Sequence, residues 1–568
     1  MKIFSTLVIF FTVQFSFAQS FYVSPSGNDS NPGTLAQPWQ TFQNACNLAT
    51  AGSTVYLKAG IYSPAVMHIS GTPGSFITFT NFPGDTAIID GGSVASTLLD
   101  LTAHGYIKII GLEFRNAIGN YSIGILMENN CHDIEIRKNH IHHIQFATNP
   151  NAAANANKNA QPIIVYGDQT TTTIHDILID SNLIYLCSTG YSEGCSIDGN
   201  VDGFTITNNI IHDVKNIGIL AGGNYGVCSD TSLDHARNGY IAFNKVYNCK
   251  SAYASNAGIY IDGGKNNLVE RNVCYHNRYG IEVGCEEHGT CSGNIVRDNL
   301  IYDNDEAGLA FGGYNFPTTG KVTNCFFYNN TFFNNDLTNQ YMGEVTITRA
   351  ENCVMRGNIF YASAQNVLMT TTIGNNLGND FDYNNYFCDS TNLVYDVNGT
   401  QHTTFSNYKT ATGWDAHSLS SNPDFVDTAF STIDLSLLPT SPCIDAGDPN
   451  YVATNETDII GNNRIVNSVI DIGCFERQFG NVISEEKENS IAVFPNPCSD
   501  KLFINSNSAI KNIVVVDLTG REMKSCVVGC QPTTATENEI DISNLAEGIY
   551  FLQIKTDEKT FVITFVKE

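Results

Sequence analysis

The sequence predicts an all-β protein, in which a right-handed parallel β-helix with an N-terminal cap helix is followed by a small C-terminal β-sandwich. Three observations lead to this prediction. A short phrase centred on asparagine recurs at a nearly constant spacing. Only 15% of the residues are charged, and the abundant Asn, Gly and Thr are poor helix formers. The last part of the chain alternates apolar and polar residues with period two.

The length and charge of the chain bound its organisation and its partners. A chain of 568 residues predicts two or more domains. The formal net charge is −27, and such an acidic surface repels nucleic acid phosphates and anionic membranes. We therefore expect no nucleic acid partner, and a strongly polyanionic substrate is disfavoured unless a local basic groove binds it.

Residues 1–19 have the pattern of a signal peptide. Lys2 is the charged end, residues 3–17 form a short apolar core, and residues 16–18 are a small-x-small cleavage signal. The apolar run falls short of the roughly 20 residues that cross a bilayer, and no later stretch is long and apolar enough. We expect an exported, monomeric protein without a membrane span.

The chain has 17 cysteines, all after the signal peptide. Export permits disulfides, but many of these residues occupy positions where neighbouring repeats have Ile or Val. We expect most of them to be small buried apolar residues. Cys285 with Cys291, and then Cys443 with Cys474, are the best candidates for bridges. No spacing is typical of a zinc site.

Residues 21–62 predict an N-terminal cap. A helix from about Trp39 to Ala49 has one apolar face, and a strand follows at Thr54–Leu57. The face consists of Phe42, Ala45, Cys46 and Ala49. The segment resembles the N-terminal cap of secreted right-handed parallel β-helix proteins that act on polysaccharides. A helix in this place covers an otherwise open sheet edge.

From about Phe76 to Phe387 a phrase of the form apolar-x-x-Asn-x-apolar recurs. Its asparagines are Asn139, Asn182, Asn209, Asn244, Asn272, Asn299, Asn330, Asn358 and Asn384. From Asn182 onwards the spacing is 26 to 35 residues. A fixed phrase at this period predicts stacked coils of a parallel β-helix, and the right hand follows from the preference for right-handed crossovers. We assign these amides to the scaffold, where they hydrogen-bond along the stack.

Two longer coils interrupt the period before the centre of the repeat region. They contain residues 140–162 and 222–238, which lack periodicity. Long loops on a repeat scaffold commonly line its binding face. We expect them to form one wall of a groove.

The repeat region is followed by a closing segment and a linker. Residues 420–476 resemble the C-terminal closing segment of the β-helix superfamily, so the β-helix domain is predicted to span residues 20–476. Residues 477–490 are polar and charged and predict a linker.

The last segment, residues 491–568, predicts a small antiparallel β-sandwich. Its motifs are Pro495-Asn496-Pro497, Asp517-Leu518-Thr519-Gly520, Leu545 and Gly548-Ile549-Tyr550. On these motifs it resembles the C-terminal sorting domain of the type IX secretion system of Bacteroidetes. The resemblance implies handling by that secretion machinery and a secreted protein, either released or attached to the cell surface.

The candidate chemistry lies on two strands one repeat apart, Gly258 to Asp262 and Gly280 to Val283. Side chains alternate along a strand, so Tyr260, Asp262 and Glu282 should point outward. Aligning the two glycines pairs Tyr260 with Glu282. The Cα atoms of Asp262 and Glu282 would then lie about 8 Å apart. This spacing permits a two-carboxylate glycosidase, either retaining or inverting.

The strand pair resembles the retaining β-xylosidase-type β-helix glycosidases. The resemblance implies Asp262 as the nucleophile and Glu282 as the acid/base. Crowded carboxylates raise one another's pKa, which keeps one acid protonated near neutral pH. The remaining candidates for substrate binding are Glu286, Glu287, His288, Tyr225, Tyr260 and Tyr314. An Asp before Gly-Gly is also a common turn residue, so a structural role for Asp262 stays open.

Asp198 and Asp202 form a second acidic group. Grouped Asp residues bind Ca²⁺ in β-helix lyases, so a Ca²⁺-dependent polysaccharide lyase acting on uronic-acid glycans is the alternative function. The Lys expected after the segment DGF is replaced by Thr205 and Thr207. We rank a secreted polysaccharide hydrolase without a cofactor first, the lyase second, and a non-catalytic glycan-binding surface protein third. In all three, Asp198 and Asp202 are expected to line the groove.

Overall fold

Short strands wound into successive coils form most of the protein, as the computed structural model shows. The chain divides into two units, residues 1–478 and 479–568. In the first unit the structure describes residues 19–313, 319–371, 377–429, 431–451, 456–467 and 469–478. In the second it describes residues 491–494, 498, 500–506, 510–516, 521–527, 538–546, 548–556 and 560–567. The predicted signal peptide up to residue 18, Tyr314 and linker residues 479–490 lie outside these ranges.

Three long sheets run along the right-handed parallel β-helix, and each coil adds one strand to each sheet. The 14-stranded sheet contains Ser20–Val23, Thr54–Leu57, Ile77–Asn81, Gly105–Ile110, His132–Arg137, Ile174–Asp180, Val201–Thr207, Ala236–Arg237, Tyr240–Ala242, Leu268–Glu270, Ile295–Arg297, Phe326–Tyr328, Val354–Arg356 and Asp380–Asp382. The 12-stranded sheet contains Gly60–Tyr62, Ala87–Val94, Glu113–Ile118, His140–Gln145, Leu183–Cys187, Ile210–Val214, Lys245–Tyr247, Val273–Tyr275, Leu300–Tyr302, Thr331–Phe333, Ile359–Ala362 and Asn385–Cys388.

The 13-stranded sheet carries the candidate site on its outer face. It contains Ala65–Val66, Thr97–Asp100, Ser122–Glu128, Ala160–Gly167, Cys195–Gly199, Ile219–Gly222, Ala257–Asp262, Tyr279–Cys285, Leu309–Gly313, Val345–Ile347, Val367–Thr371, Val394–Val397 and Thr400–His402. Only its last pair of strands is antiparallel. A short parallel sheet at one corner contains Thr290–Ser292, Lys321–Thr323 and Ala350–Glu351. The predicted parallel β-helix is confirmed, because strands of successive coils pair in three long sheets and their apolar side chains form one continuous core.

The predicted asparagine ladder is present. Asn272 is typical: its Oδ1 accepts from the backbone N–H of Asn244 and from its Nδ2, both at 3.0 Å. Its own Nδ2 donates to the Ile241 carbonyl at 2.9 Å and to Asn299 at 3.0 Å. The ladder continues to Asn384, whose Nδ2 donates to Asp415 at 3.1 Å. The amides of this ladder therefore have partners in the neighbouring coils, which is the condition for placing polar groups in an interior.

The N-terminal coil is covered by a helix, as predicted, although the helix is shorter than expected. It spans Phe42–Leu48 and begins after Thr41, whose side chain accepts from the Asn44 backbone N–H. Phe42, Ala45 and Cys46 are buried against the first coils. At the other end the helix Phe405–Thr412 covers the last coils and ends at Gly413, which has the left-handed φ of 72°.

The closing segment packs along the outside of the last coils. It contains the hairpin Phe425–Asp427 and Asp434–Leu437, and it places the fully buried Arg464 3.0 Å from Asp298. An unpaired charge at this depth would be strongly destabilising, so the pair fixes the segment to the coil that carries Asp298.

Among the described residues of the first unit, fourteen cysteines are buried free thiols. Most follow the prediction that they act as small apolar core residues, but the two candidate bridges are absent. The thiol of Cys291 points into the interior and lies 3.3 Å from the Gly264 carbonyl, whereas the sulfur of Cys285 lies 3.5 Å from Asn224 Nδ2. The flanking loop thus directs the two sulfurs to different surroundings.

The second unit contains two antiparallel sheets. One consists of Ile491–Phe494, Lys501–Ser506 and Asn538–Asp541, and the other of Glu522–Val527, Ile510–Val516, Gly548–Thr556 and Thr560–Lys567. Residues of both sheets, including Leu502 and Leu552, belong to one buried cluster. The motifs at 495–497 and 517–520 lie outside the described residues. In the described part of the chain we find no helix of a length and apolarity that would cross a membrane.

Candidate active site

The strands Ala257–Asp262 and Tyr279–Cys285 are neighbours in the 13-stranded sheet. Tyr260 lies opposite Glu282, in the predicted register, and Asp262 lies opposite Gly284. Ile259 and Ile261 are fully buried in the core, so Tyr260 and Asp262 project from the outer face. Asp262 is nevertheless only 1% exposed. Asp262 therefore lies on the outer face of the sheet but is covered by Tyr225 and by the Glu286 backbone, which belong to loops of neighbouring coils.

Asp262 lies in a cavity of about 520 Å³ on this outer face. Its walls are rich in tyrosine and carboxylate side chains, with a few small or apolar residues between them. The lining residues are Tyr166, Tyr191, Glu193, Asp198, Asn216, Ile217, Leu220, Tyr225, Val227, Tyr253, Ala254, Ser255, Tyr260, Asp262 and Glu286. We call this space the acidic cavity, because none of the described residues that line it is Lys, Arg or His.

Two donors hold the Asp262 carboxylate in place. The Tyr225 hydroxyl donates to its Oδ2, and the Glu286 backbone N–H donates to its Oδ1 at 3.0 Å. Burial, with a smaller contribution from the nearby Glu286 charge, raises the pKa of Asp262 to about 7. The two donors act against this rise, because they stabilise the charged form.

Glu286 is the second carboxylate at this point of the cavity. The Tyr225 hydroxyl that contacts Asp262 also lies 3.4 Å from Glu286 Oε2, and the Tyr260 hydroxyl donates to Oε1 at 3.3 Å. Burial raises the pKa of Glu286 above its usual range. One phenol therefore links the carboxylates of Asp262 and Glu286.

Glu193 and Asp198 line the other side of the same cavity. Asp198 lies beside Gly222 in the sheet, and the register of the next strand places Gly222 beside Asp262. A Cβ atom on Gly222 would lie 2.1 Å from Asp198 Oδ1, so the glycine makes room for this carboxylate. Burial raises the pKa of Asp198 to about 6 and raises that of Glu193 well above its usual range, with Asp198 adding to the latter effect.

Glu282 lies in a different space. It lines a cavity of about 210 Å³ together with Tyr260, Tyr279, Ala310, Phe311, Gly312, Gly313, Met342, Thr346 and Thr348. We call this space the side cavity. The ring of Tyr260 lines both cavities and separates Glu282 from the acidic cavity. Burial raises the pKa of Glu282 well above its usual range, and the charges of Glu286 and Asp262 raise it further. The predicted pair of Asp262 and Glu282 is thus divided between two adjacent cavities.

The structure places other predicted residues outside the acidic cavity. Asp202 lies on the 14-stranded sheet, where Arg237 Nε contacts it at 3.0 Å and Asn238 donates to it at 2.6 Å. It is therefore separated from Asp198, which belongs to the 13-stranded sheet, because the chain turns a corner of the coil between them. Glu287 and His288 are exposed and line neither cavity, and Tyr314 lies outside the described residues.

Sequence reasoning missed Glu193 and the wall residues Tyr166, Tyr191 and Tyr253. Tyr166 follows from the register, since it lies beside Asp198 on the preceding strand. Glu193 precedes its strand in a turn without periodicity. Tyr191 and Tyr253 stack on each other with ring centroids 5.3 Å apart, although they lie 62 positions apart in the chain. No local pattern in the sequence predicts a contact between two residues so far apart in the chain.

Comparisons with known proteins agree with this architecture. Residues 21–209 match the family described as Pel9A-like, right handed beta helix region, and residues 124–332 match a right handed beta helix region. Residues 492–568 match the secretion system C-terminal sorting domain. The fold and these matches define a right-handed β-helix protein that type IX secretion delivers outside the cell or to its surface.

The chain belongs to the right-handed β-helix family that includes YwoF of Bacillus subtilis. The two sequences are 32% identical over 442 residues, which cover 74% of this chain and 91% of YwoF, itself described as uncharacterized. A pectate lyase of Emericella nidulans, PEL9, is 40% identical over 89 residues, which cover 15% of this chain and only 22% of the lyase.

Two solved structures are also similar. The complex of XylC with xylose is 13% identical, with 81% of this chain and 99% of XylC covered and a TM-score of 0.45. The pectate lyase Pel9A is 16% identical, with 82% of this chain and 97% of Pel9A covered and a TM-score of 0.40.

Proposed function

We propose that this protein is a secreted enzyme that hydrolyses glycosidic bonds of a polysaccharide, with Asp262 and Glu286 as its two working carboxylates. The observation that supports the proposal is the Tyr225 hydroxyl, which links these two carboxylates inside a cavity whose described lining has no positive charge. Glu286 replaces Glu282 in this proposal, because Glu282 lines the side cavity.

The roles of the two carboxylates follow from their hydrogen bonds. Asp262 accepts from a backbone N–H as well as from Tyr225, and both donors favour its charged form. It is therefore the nucleophile, or the base that activates water. Two crowded carboxylates do not both ionise readily. We assign the proton to Glu286, which donates it to the leaving oxygen, because its carboxyl group contacts two hydroxyls that can also accept a hydrogen bond, whereas the backbone N–H on Asp262 can only donate. Breaking the glycosidic bond needs this pairing of an acid with a carboxylate.

The walls of the acidic cavity suit a sugar chain. Five tyrosines offer ring surfaces and hydroxyl groups around the carboxylates: Tyr166, Tyr191, Tyr225, Tyr253 and Tyr260. Binding sites of this kind are mostly apolar or aromatic, with a few polar groups that fix the orientation of the ligand. The proposed hydrolysis uses no cofactor. We also propose that the protein works as a monomer.

The test is the loss of hydrolysis in two isosteric variants. We expect Asp262→Asn and Glu286→Gln each to lower kcat/KM by at least about 1,000-fold, the effect typical of removing a general acid, base or nucleophile. The release of reducing ends from a panel of plant and algal polysaccharides measures this. Glu287→Gln is the matched control, since Glu287 follows in the same loop and is exposed. Wild-type rates in Asp262→Asn or in Glu286→Gln would refute the two-carboxylate mechanism.

A Ca²⁺-dependent lyase is the second candidate, supported by the Pel9A-like match and by the partial match to a pectate lyase. Glu193 and Asp198 supply buried carboxylate oxygens, which are the ligands that Ca²⁺ prefers, and Asp198 Oδ1 faces the space above Gly222. A bound Ca²⁺ would neutralise a uronate group there. The basic group that removes a proton in a lyase is not among the described lining residues of the acidic cavity, which favours hydrolysis.

Product analysis separates the two candidates. A lyase forms an unsaturated product that absorbs in the ultraviolet. A Ca²⁺-dependent lyase also loses its activity when a chelator is added. A hydrolase releases reducing ends without that absorbance and keeps its activity with the chelator. An ultraviolet-absorbing product that disappears in Asp198→Asn would establish the lyase instead.

A further inference from the structure

The side cavity adjoins the acidic cavity along the axis of the β-helix. Glu282, Ala310 and Thr346 lie opposite one another on three successive strands and line it, after Tyr260 on the preceding strand. Its volume of about 210 Å³ equals that of about seven water molecules in the liquid, at roughly 30 Å³ each. The space can accommodate one pyranose ring.

The walls of the side cavity are mainly apolar. Ala310 and Phe311 form part of one side, and Met342 packs against the cluster that includes Tyr260 and Tyr279. Rings and methyl groups of this kind favour the C–H face of a sugar. The threonines and glycines that complete the wall carry no charge.

Glu282 is the one acidic residue among the described residues that line this space, and its carboxyl group forms no hydrogen bond with the described part of the chain. A partly buried polar group without a partner is costly unless a ligand or water completes its bonding. Asp90, which accepts from Asn116, and Asp305, which accepts from Lys250, show that partly buried acids elsewhere in this protein do obtain side-chain donors. The open bonding capacity of Glu282 faces the cavity.

The charges around the side cavity restrict what can enter it. Glu282 lies near Glu286 and Asp262, while the basic group that lowers its pKa, Arg278, forms an ion pair with Glu306 at 2.7 Å. A uronate or sulfate group in the side cavity would find no basic side chain among the described residues that line it, and every nearby carboxylate that is ionised would repel it. A neutral ring with hydroxyl groups avoids this repulsion and supplies the missing hydrogen bonds to Glu282.

We propose that the side cavity binds the sugar unit next to the one in the acidic cavity, that this unit is neutral, and that Glu282 recognises its hydroxyl groups. This inference rests on the proposed glycan-cleaving function and names the substrate class. Tyr260 then separates two neighbouring sugar positions, with its hydroxyl on Glu286 in one cavity and its ring against the other. Glu282 is a specificity residue in this assignment and takes no part in bond cleavage.

Three variants test the role of Glu282 on the polysaccharide that the wild type cleaves. Glu282→Leu removes the hydrogen bond and Ala310→Leu fills the space, so each should raise KM by about 10-fold, the equivalent of one neutral hydrogen bond of roughly 1.4 kcal/mol. Both should keep kcat within about 3-fold. Glu282→Gln keeps the ability to bond a hydroxyl and should restore KM. Asp434→Asn is the control, because Asp434 is exposed on the hairpin of the closing segment and lines neither cavity.

The catalytic alternative predicts the opposite pattern. If Glu282 were the acid/base, Glu282→Gln would lose kcat by at least about 100-fold and would restore nothing. That result, or an unchanged KM in both Glu282→Leu and Ala310→Leu, would overturn the proposal. Full activity of Asp262→Asn would instead refute the proposed hydrolysis while leaving the KM measurements readable, so the two failures are distinguishable.

Binding measurements test the charge of the ligand without catalysis. Calorimetry of Asp262→Asn in a chelating buffer would compare neutral xylo-, cello-, manno-, arabino- and laminari-oligosaccharides with oligogalacturonates and oligoalginates. We expect at least one neutral series to bind at least about 10-fold more tightly than either anionic series, and Glu282→Leu to reduce this binding. Tighter binding of an anionic series, or no binding of any neutral series, would overturn the proposal.

Discussion

The asparagine ladder and the acidic cavity are both stacks of buried polar groups on the same β-helix, and they obey opposite rules. In the ladder each neutral amide accepts two hydrogen bonds from one neighbouring coil and donates to carbonyl and amide oxygens of others, as Asn272 does. In the cavity four carboxylates crowd together without a basic group among the described lining residues. The pKa values of all four are raised.

This difference distinguishes buried polar residues that stabilise a repeat protein from those that serve its function. A satisfied column stabilises the fold and can repeat along the whole molecule. A column of like charges lowers stability, and it persists where a ligand or a reaction uses it. The two regions should therefore respond in opposite directions when one polar group is removed.

The largest effect on stability is expected in the ladder. Asn358→Ala leaves the backbone N–H and Nδ2 of Asn330 without their acceptor, both of which lie 2.9 Å from Asn358 Oδ1. We expect the free energy of unfolding to fall by about 3 kcal/mol, the sum of two orphaned buried donors. Chemical denaturation of the mature protein measures this. Asn392→Ala, at an exposed position, is the control and should stay within about 0.5 kcal/mol.

A smaller effect with the opposite sign is expected in the cavity. The pKa of Asp262 is about 7 in the folded protein and about 3.9 in an unfolded chain, so the folded state binds the proton more tightly. Wild-type stability therefore declines as the pH rises from about 4 to about 7. Asp262→Asn removes this decline, so we expect its free energy of unfolding to exceed that of the wild type above pH 7 by on the order of 2 kcal/mol.

Denaturation at about pH 4 and pH 8 tests this sign. The gain should be present at the higher pH and absent at the lower one. Asp427→Asn is the control, because Asp427 is exposed and its pKa is lowered by its bond from Thr432. A loss of stability in Asp262→Asn at the higher pH would show that the cavity is a satisfied polar cluster like the ladder.

The smallest expected effect is a shift in a pH profile. Tyr225→Phe removes a donor that stabilises charged Asp262, so the pKa of Asp262 should rise further. The acid limb of kcat/KM should move to higher pH by about 0.7 units, which corresponds to a hydrogen bond of about 1 kcal/mol. Tyr191→Phe is the control, because the Tyr191 hydroxyl bonds the Tyr253 carbonyl and not a carboxylate. If the acid limb of the kcat/KM profile is unchanged in Tyr225→Phe, the ionisation that governs activity is not that of Asp262.

The sequence by itself determined the repeating part of the protein. The spacing of the asparagines predicted the coils and the ladder, and alternation along the strand predicted that Asp262 and Glu282 share the outer face with Tyr260 opposite Glu282. These features depend on period and register, which are local properties that every coil repeats.

Only the tertiary structure decided how the candidate site is assembled. Tyr225 reaches Asp262 from the long loop 222–238, Glu193 enters from a turn without period, and Tyr260 divides Asp262 from Glu282. The tertiary structure also shows that Asp202 and Asp198 lie on different sheets, with a corner of the coil between them. The physical reason is that irregular loops take their paths from contacts between distant parts of the chain, and burial and pKa depend on those contacts rather than on the residue's own neighbours in sequence.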